Sequence, residues 1–230
     1  RDEGLEHEER REVDGDGRER VREQREQHAR LVEDLLERVP GLHEDLRVLG
    51  GVDRRERSRD AFADYTVLHT GIGKVNASYA LSKWLHGQDR PSMVVNMGTA
   101  GSRKHPTGSI VNCTRFIQRD MDVSLLGFEK WQTPFSTDPV VIEHGHAVND
   151  LLQGVCGTGD SFDATHGASD FDVVDMEAYA LALICQREDI PFLCLKYISD
   201  GADDQAVTDW NDALEKAAVL LRNTLKNLTI

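Results

Sequence analysis

Two carboxylates in this chain of 230 residues stand where a purely structural role would not put them. Glu177 interrupts the apolar run VVDMEAYA (173–180) at a strand-to-helix junction, and Asp200 closes the buried-type strand that includes FLCLKYIS (192–199). Ligands in α/β folds gather at the carboxyl ends of strands. The stretch Asp172–Asp204 is therefore read as half of an active site. Three small-residue segments follow other strands: Thr70-Gly71-Ile72-Gly73-Lys74, Gly98-Thr99-Ala100-Gly101-Ser102 and Gly159-Asp160-Ser161-Phe162. Such turns let backbone N–H groups approach a ligand. Taken singly, each could equally be a tight turn with no ligand, and it is their recurrence at strand ends that carries the reading. Phe162 adds a ring that could stack on a planar group. His144 and His146 would share a face on a strand, but no Cys, Asp or Glu cluster completes a ligand set, so no metal is expected.

These residues need elements to hold them. Tyr65–His69, Ser92–Asn96, Gly108–Ile117, Val155–Thr158 and the segment after Pro191 read as strands. Val75–His86, Ala178–Cys185 and Trp210–Leu228 read as helices, the last with an apolar stripe of Leu214, Ala217, Ala218, Leu221 and Leu225. Leu46–Val52 is a weaker strand with two glycines. Strands alternating with helices imply a layered α/β architecture. The length suits one sizeable core. We expect a domain over residues 45–230, preceded by a charged segment, 1–44, that is disordered or helical. Within that segment, Leu31, Val32, Leu35, Leu36 and Val39 keep helical spacing until Pro40-Gly41 stops it.

The formal net charge of −14 argues against nucleic acid or an anionic membrane surface as partner. No apolar run reaches transmembrane length and no signal peptide opens the sequence. Cys113, Cys156, Cys185 and Cys194 are scattered through mostly apolar runs, which suits buried free thiols and a cytoplasmic location.

Six motifs occur in an order that resembles the nucleoside phosphorylase/nucleosidase superfamily, and within it the 5'-methylthioadenosine/S-adenosylhomocysteine nucleosidase branch. They are GIGKVNA (71–77), NMGTAG (96–101), RDMDV (119–123), TGDSF (158–162), DMEAYA (175–180) and YISDGAD (197–203). The resemblance covers roughly residues 65–230 and implies a three-layer α/β/α fold around a mixed, partly closed sheet. It implies that Glu177, with Met176, accepts hydrogen bonds from the ribose hydroxyls, and that Asp200 donates to N7 of a leaving purine. Phe162 would stack on the base, and the backbone at Asp163 would meet its edge. Thr99, Ala100 and Gly101 would lie under the ribose and the attacking water, and Val123 would wall the base pocket. The chemistry fits these residue types, because N-glycosidic cleavage builds an oxocarbenium-like sugar and an anionic base. Proton donation to the leaving group is worth about 10²–10⁴-fold.

Phosphorylases similar to this family carry an arginine for phosphate just before the Gly-Ser/Thr turn, whereas this chain has Asn96-Met97-Gly98-Thr99. Phosphate without a cation partner binds poorly, so water is the expected nucleophile. The family's water-activating glutamate follows the first strand, and Glu56, after Arg47–Val52 and between Arg55 and Arg57, is the candidate. The expectation is a purine nucleosidase acting on a small-molecule nucleoside, without cofactor. The alternatives are a phosphorylase and a nucleoside-binding protein lacking the base. Relatives of this type are commonly dimers, and Leu125-Leu126-Gly127-Phe128 could serve that contact.

Overall fold

The computed structural model describes residues 46–50, 65–87, 90–161 and 170–201, together with 217, 220, 221, 223–225, 227 and 228. Eight strands lie in these residues: β1 (Leu46–Gly50), β2 (Tyr65–His69), β3 (Met93–Gly101), β4 (Ile110–Gln118), β5 (Val141–Ile142), β6 (Leu152–Thr158), β7 (Val173–Asp175) and β8 (Phe192–Asp200). Helix α1 spans Lys74–His86 and α2 spans Ala178–Arg187. The sheet runs β2-β1-β3-β7-β6-β4-β5, and β8 pairs with both β3 and β4. Five strands thus form a closed circuit, β3–β8–β4–β6–β7 and back to β3. Its pairings are parallel for β3–β8, β4–β6 and β6–β7 and antiparallel for β4–β8 and β3–β7. The mixed, partly closed sheet expected from the motifs is what forms.

Both faces of this sheet are covered, which explains the near-continuous apolar reading of its central strands. All nine residues of β8 are buried. On one side Val94, Val111, Phe116, Cys194 and Ile198 pack with Ala77 and Leu81 of α1 and with Leu181, Ala182 and Cys185 of α2. Ala77 and Leu81 are four residues apart and so share one helix face. Burying the Leu81 side chain contributes about 2 kcal/mol. On the other side Met93, Val95, Met97, Leu193, Leu195 and Tyr197 pack with Ala217, Leu221 and Leu225, which are helical and carry part of the expected terminal stripe. The result is helix, sheet, helix. No described helix is long and apolar enough to cross a membrane.

Two local expectations differ from the structure. Gly98-Thr99-Ala100-Gly101 is not a turn after a strand but the last part of β3, paired with β8 throughout. Its small residues reflect what lies against them: a Cβ on Gly98 would sit 3.5 Å from the Nζ of Lys196. The strand expected over His144 and His146 also stops early. Strand β5 ends at Ile142, and beyond it the Nε2 of His144 pairs with the Ile190 carbonyl at 2.7 Å.

Candidate active site

The closure of the strand circuit assembles the site. Gly101 pairs with Asp200 of β8 on one side and with Val174 of β7 on the other. The register between β3 and β8 shifts between Ala100 and Gly101, so Ser199 is the extra residue of a bulge. Bulges re-aim side chains and gather near active sites. Here the Ser199 hydroxyl reaches the Asp200 Oδ2 at 2.7 Å and the Ala100 carbonyl at 3.3 Å. The Ser102 N–H donates to the Asp200 carbonyl at 3.0 Å, which fixes the strand end. Asp200 is buried, with 4% of its surface exposed. Thr99, Ala100 and Gly101 therefore lie directly beside the Tyr197–Asp200 strand end, on the strand that also meets β7.

Glu177 is brought in by β7 and the junction to α2, and it is half-buried. Its Oε1 accepts a hydrogen bond from the Gly73 N–H at 2.8 Å. Gly73 has φ +92°, a left-handed conformation that side chains rarely adopt, so glycine is required for this N–H to point at the carboxylate. Burial and the negative charge of Asp175 push the Glu177 carboxyl up to about 7, against the opposing pull of Lys196 and the Gly73 N–H. Met176 is half-buried between Asp175 and Glu177.

Behind Glu177 lies an ion pair invisible in the motifs. Lys196, in the middle of β8, and Asp175, at the end of β7, are both 1% exposed and meet at 2.8 Å. Asp175 also accepts from the Thr158 hydroxyl at 2.5 Å, the Ala178 N–H at 2.8 Å and the Cys156 thiol at 3.3 Å. Burial opposes its charge, but the Lys196 ammonium and these donors hold it below the usual carboxylate range. Burial likewise opposes the Lys196 charge, and Asp175 outweighs it, keeping the ammonium charged. A fully satisfied pair of this kind is tolerated in a core, whereas either partner alone would not be. Lys196 is absent from the residues singled out in the sequence, although a lysine inside an otherwise apolar strand is itself a signal.

The RDMDV and TGDSF motifs meet at the start of α1. Asp160 Oδ1 accepts from the Lys74 N–H at 2.8 Å, and Asp120 Oδ2 accepts from the Asp160 N–H at 2.9 Å. The Lys74 ammonium bonds both oxygens of Asp120, at 2.6 Å to Oδ2, and lies 3.6 Å from Asp160. Arg119, 6% exposed, donates to the carbonyls of Gly159 and Ser161 and, at 3.2 Å, to the Ser161 hydroxyl. Val123 is half-buried on the same loop and caps a short 3-10 turn, Ser124–Leu126.

Of the expected site residues, Asp200, Glu177, Met176, Thr99, Ala100 and Gly101 are thus drawn together around the end of β3, and Val123 joins through the loop of Arg119 and Asp120. Glu56, Phe162 and Asp163 lie outside the described residues. The four cysteines are buried and free. Burial raises the Cys156 thiol to about 11, an inert thiol rather than a nucleophile. Among the described residues no group of three or more His, Cys, Asp or Glu could hold a metal ion.

Comparison with known proteins bears on this geometry. The profile of the Phosphorylase superfamily matches residues 15–229. A 5'-methylthioadenosine/S-adenosylhomocysteine nucleosidase of an Exiguobacterium species is 34% identical over 175 residues, covering 66% of this chain and 74% of that protein. Among solved structures, the corresponding nucleosidase of Helicobacter pylori with butyl-thio-DADMe-Immucillin-A aligns with a TM-score of 0.68 at 22% identity, over 81% of this chain and 97% of that one. The futalosine hydrolase of Helicobacter pylori aligns with a TM-score of 0.67 at 22% identity, over 79% and 95%. At these identities the structural matches speak for the fold.

Proposed function

This chain belongs to the phosphorylase superfamily, and from that premise we propose that it is a purine nucleosidase, an N-glycosyl hydrolase acting on 5'-methylthioadenosine, S-adenosylhomocysteine or a closely related nucleoside. The observation that carries the reading is the double pairing of Gly101, which sets Asp200 and the Asp175–Glu177 segment on either side of one strand end. In this reading Glu177, ionised, accepts the ribose hydroxyls while Gly73 holds its other side. Electron density drawn toward the sugar stabilises the oxocarbenium character that develops as the bond breaks. Asp200, aimed by the Ser199 hydroxyl, donates to N7 and neutralises the departing base. The Thr99–Gly101 backbone bounds the space for the ribose and the water, and Val123, Phe162 and Asp163 complete the base pocket. Glu56 is the proposed water-activating base.

Hydrolysis is favoured over phosphorolysis by the charges beside the sugar. Residue 96, where a phosphate-binding arginine would stand, is a buried asparagine whose Oδ1 accepts from the Cys194 thiol at 3.4 Å. The buried ammonium next to Gly98 is already neutralised by Asp175. An incoming phosphate would meet no spare cation from either residue. Incubation with 5'-methylthioadenosine and S-adenosylhomocysteine should release adenine without added phosphate, and strict dependence on phosphate would overturn the hydrolase reading. Binding of both nucleosides without release of base would instead favour a non-catalytic binding protein.

Finer features follow from the same reading. The catalytic domain spans residues 45–230, a boundary supported by β1 starting at Leu46 inside the sheet. A homodimer is supported by exposed apolar side chains on linked segments: Leu125 and Phe135, 100% and 93% exposed, and Val75 of α1, 77% exposed, next to the Lys74–Asp120 bond. Four free cysteines suit a cytoplasmic location. A molar mass of one chain in solution, measured by light scattering, would remove the dimer.

A further inference from the structure

Neighbouring backbone N–H groups at the start of α1 are claimed by carboxylates from two different loops. Gly73 donates to Glu177 and Lys74 donates to Asp160, both at 2.8 Å. Both carboxylates sit at the positive end of the helix dipole, where negative charge is favoured. Without a cation, however, a third carboxylate would be too many. Asp120 stands against the same turn, accepting the Asp160 N–H at 2.9 Å. The Lys74 side chain resolves this. Its ammonium, on a side chain 14% exposed, bonds Asp120 and lies 3.6 Å from Asp160. Burial acts against the Asp120 charge, but the hydrogen bond from Lys74 and the Asp160 N–H hold its carboxyl below the usual range, so it stays ionised.

The geometry points to Lys74 as a positioning residue of the substrate pocket, which locks the Gly159–Ser161 loop to the turn that holds Glu177. Its backbone N–H holds Asp160 while its ammonium bonds Asp120 and lies 3.6 Å from Asp160, so one residue couples the turn that holds Glu177 to the Gly159–Ser161 loop. Arg119 secures the loop from the opposite side through the Gly159 and Ser161 carbonyls. With Lys74 neutralised, Asp120 and Asp160 become an uncompensated like-charge pair and the loop is pushed off its register. Neither the sugar-facing contact of Gly73 nor the placement of Asp200 depends on that charge, so base affinity suffers and the chemical step does not. The Lys74 side chain itself touches none of the reacting groups described above.

This inference rests on the nucleosidase reading, and its test separates the two. Lys74→Met, Lys74→Arg and wild type are compared for kcat and KM on 5'-methylthioadenosine, for affinity toward free adenine by calorimetry, and for thermal midpoint. Loss of one charge-assisted hydrogen bond at a partly exposed site corresponds to roughly a tenfold change in affinity. Lys74→Met should raise KM and the adenine dissociation constant by about that factor, with kcat held within about threefold. Lys74→Arg, which keeps the charge, should recover most of the loss. Unchanged KM and adenine affinity in Lys74→Met, or a loss confined to kcat, would overturn the positioning role while wild-type turnover leaves the nucleosidase reading standing. Wild type that neither binds adenine nor turns over would sink the reading itself. Should Lys74→Met fail to fold, the equally uncharged Lys74→Gln takes its place, with the same signature expected and the same outcome refuting it.

Discussion

Replacing Glu177 by glutamine should make this protein more stable and useless at once, and the stability gain should depend on pH. The carboxyl lies at about 7 in the folded protein, against 4.5 for an ordinary glutamate, because burial and Asp175 disfavour its charge. A raised acid binds its proton more tightly when folded, so stability is fully present below about pH 4.5 and is lost as pH rises through 7. At pH 8 the ionised carboxylate costs about 3 kcal/mol, and at pH 5 less than about 1 kcal/mol, taking 1.36 kcal/mol per pKa unit. The glutamine side chain would carry no charge at any pH, and its amide oxygen could still accept the Gly73 N–H. Relative to wild type, Glu177→Gln should therefore gain about 2–3 kcal/mol at pH 8, or roughly 4–12 °C in Tm for a chain of this size. At pH 5 the gain should nearly vanish. Differential scanning calorimetry at the two pH values decides the matter. An equal gain at both, or none at pH 8, would refute the argument that a buried charge is being held against its preference. Turnover should fall in the same variant, since an amide cannot pull on the ribose as a carboxylate does. The same ionisation predicts that wild-type KM rises as pH drops below about 7.

Asp200→Asn should lower kcat by about 10²–10⁴-fold with KM little changed; near-normal turnover would remove its acid role. Lys196→Met leaves Asp175 buried without its counter-charge, and should cost about 3–5 kcal/mol in chemical denaturation; a stability close to wild type would mean that the core tolerates Asp175 alone. Gly145→Ala would place a Cβ 2.4 Å from the Thr114 Cα and 2.5 Å from the Cys113 carbonyl, backbone atoms that cannot swing aside. Overpacking of this kind costs about 1–3 kcal/mol, and an unchanged Tm would contradict it.

Most of the strands, helices α1 and α2 and their alternation could be read from the chain because each has a local signature, apolar runs bounded by Gly, Pro or charge; the two-residue β5 is too short to show one. Glu177 and Asp200 were legible for the same reason, as carboxylates out of place beside apolar residues. Gly98–Gly101 misled, since small residues in a row look like a turn when their cause, the Lys196 ammonium against Gly98, sits on another strand. The Asp175–Lys196 pair and the Lys74–Asp120–Asp160 cluster escaped notice because each joins separate elements that only the sheet topology brings together. Charges in motifs can be seen locally, but their partners are chosen by the topology.

The strand circuit has a consequence in time. Its central member, β8, is the last strand among the described residues, and it fills the gap between β3 and β4. Asn96 and Cys194, which touch across it, are 98 residues apart. A ribosome adding residues at roughly 5–20 per second would expose β3 and β4 for several seconds before their shared neighbour exists. During that interval the emerging chain shows two unfinished strand edges, and Lys196 has not yet arrived to neutralise Asp175. The pocket cannot assemble piecemeal from the amino-terminal side. It comes into being when β8 is inserted, which makes the chain most vulnerable to aggregation, and most in need of chaperone protection, just before synthesis reaches Phe192.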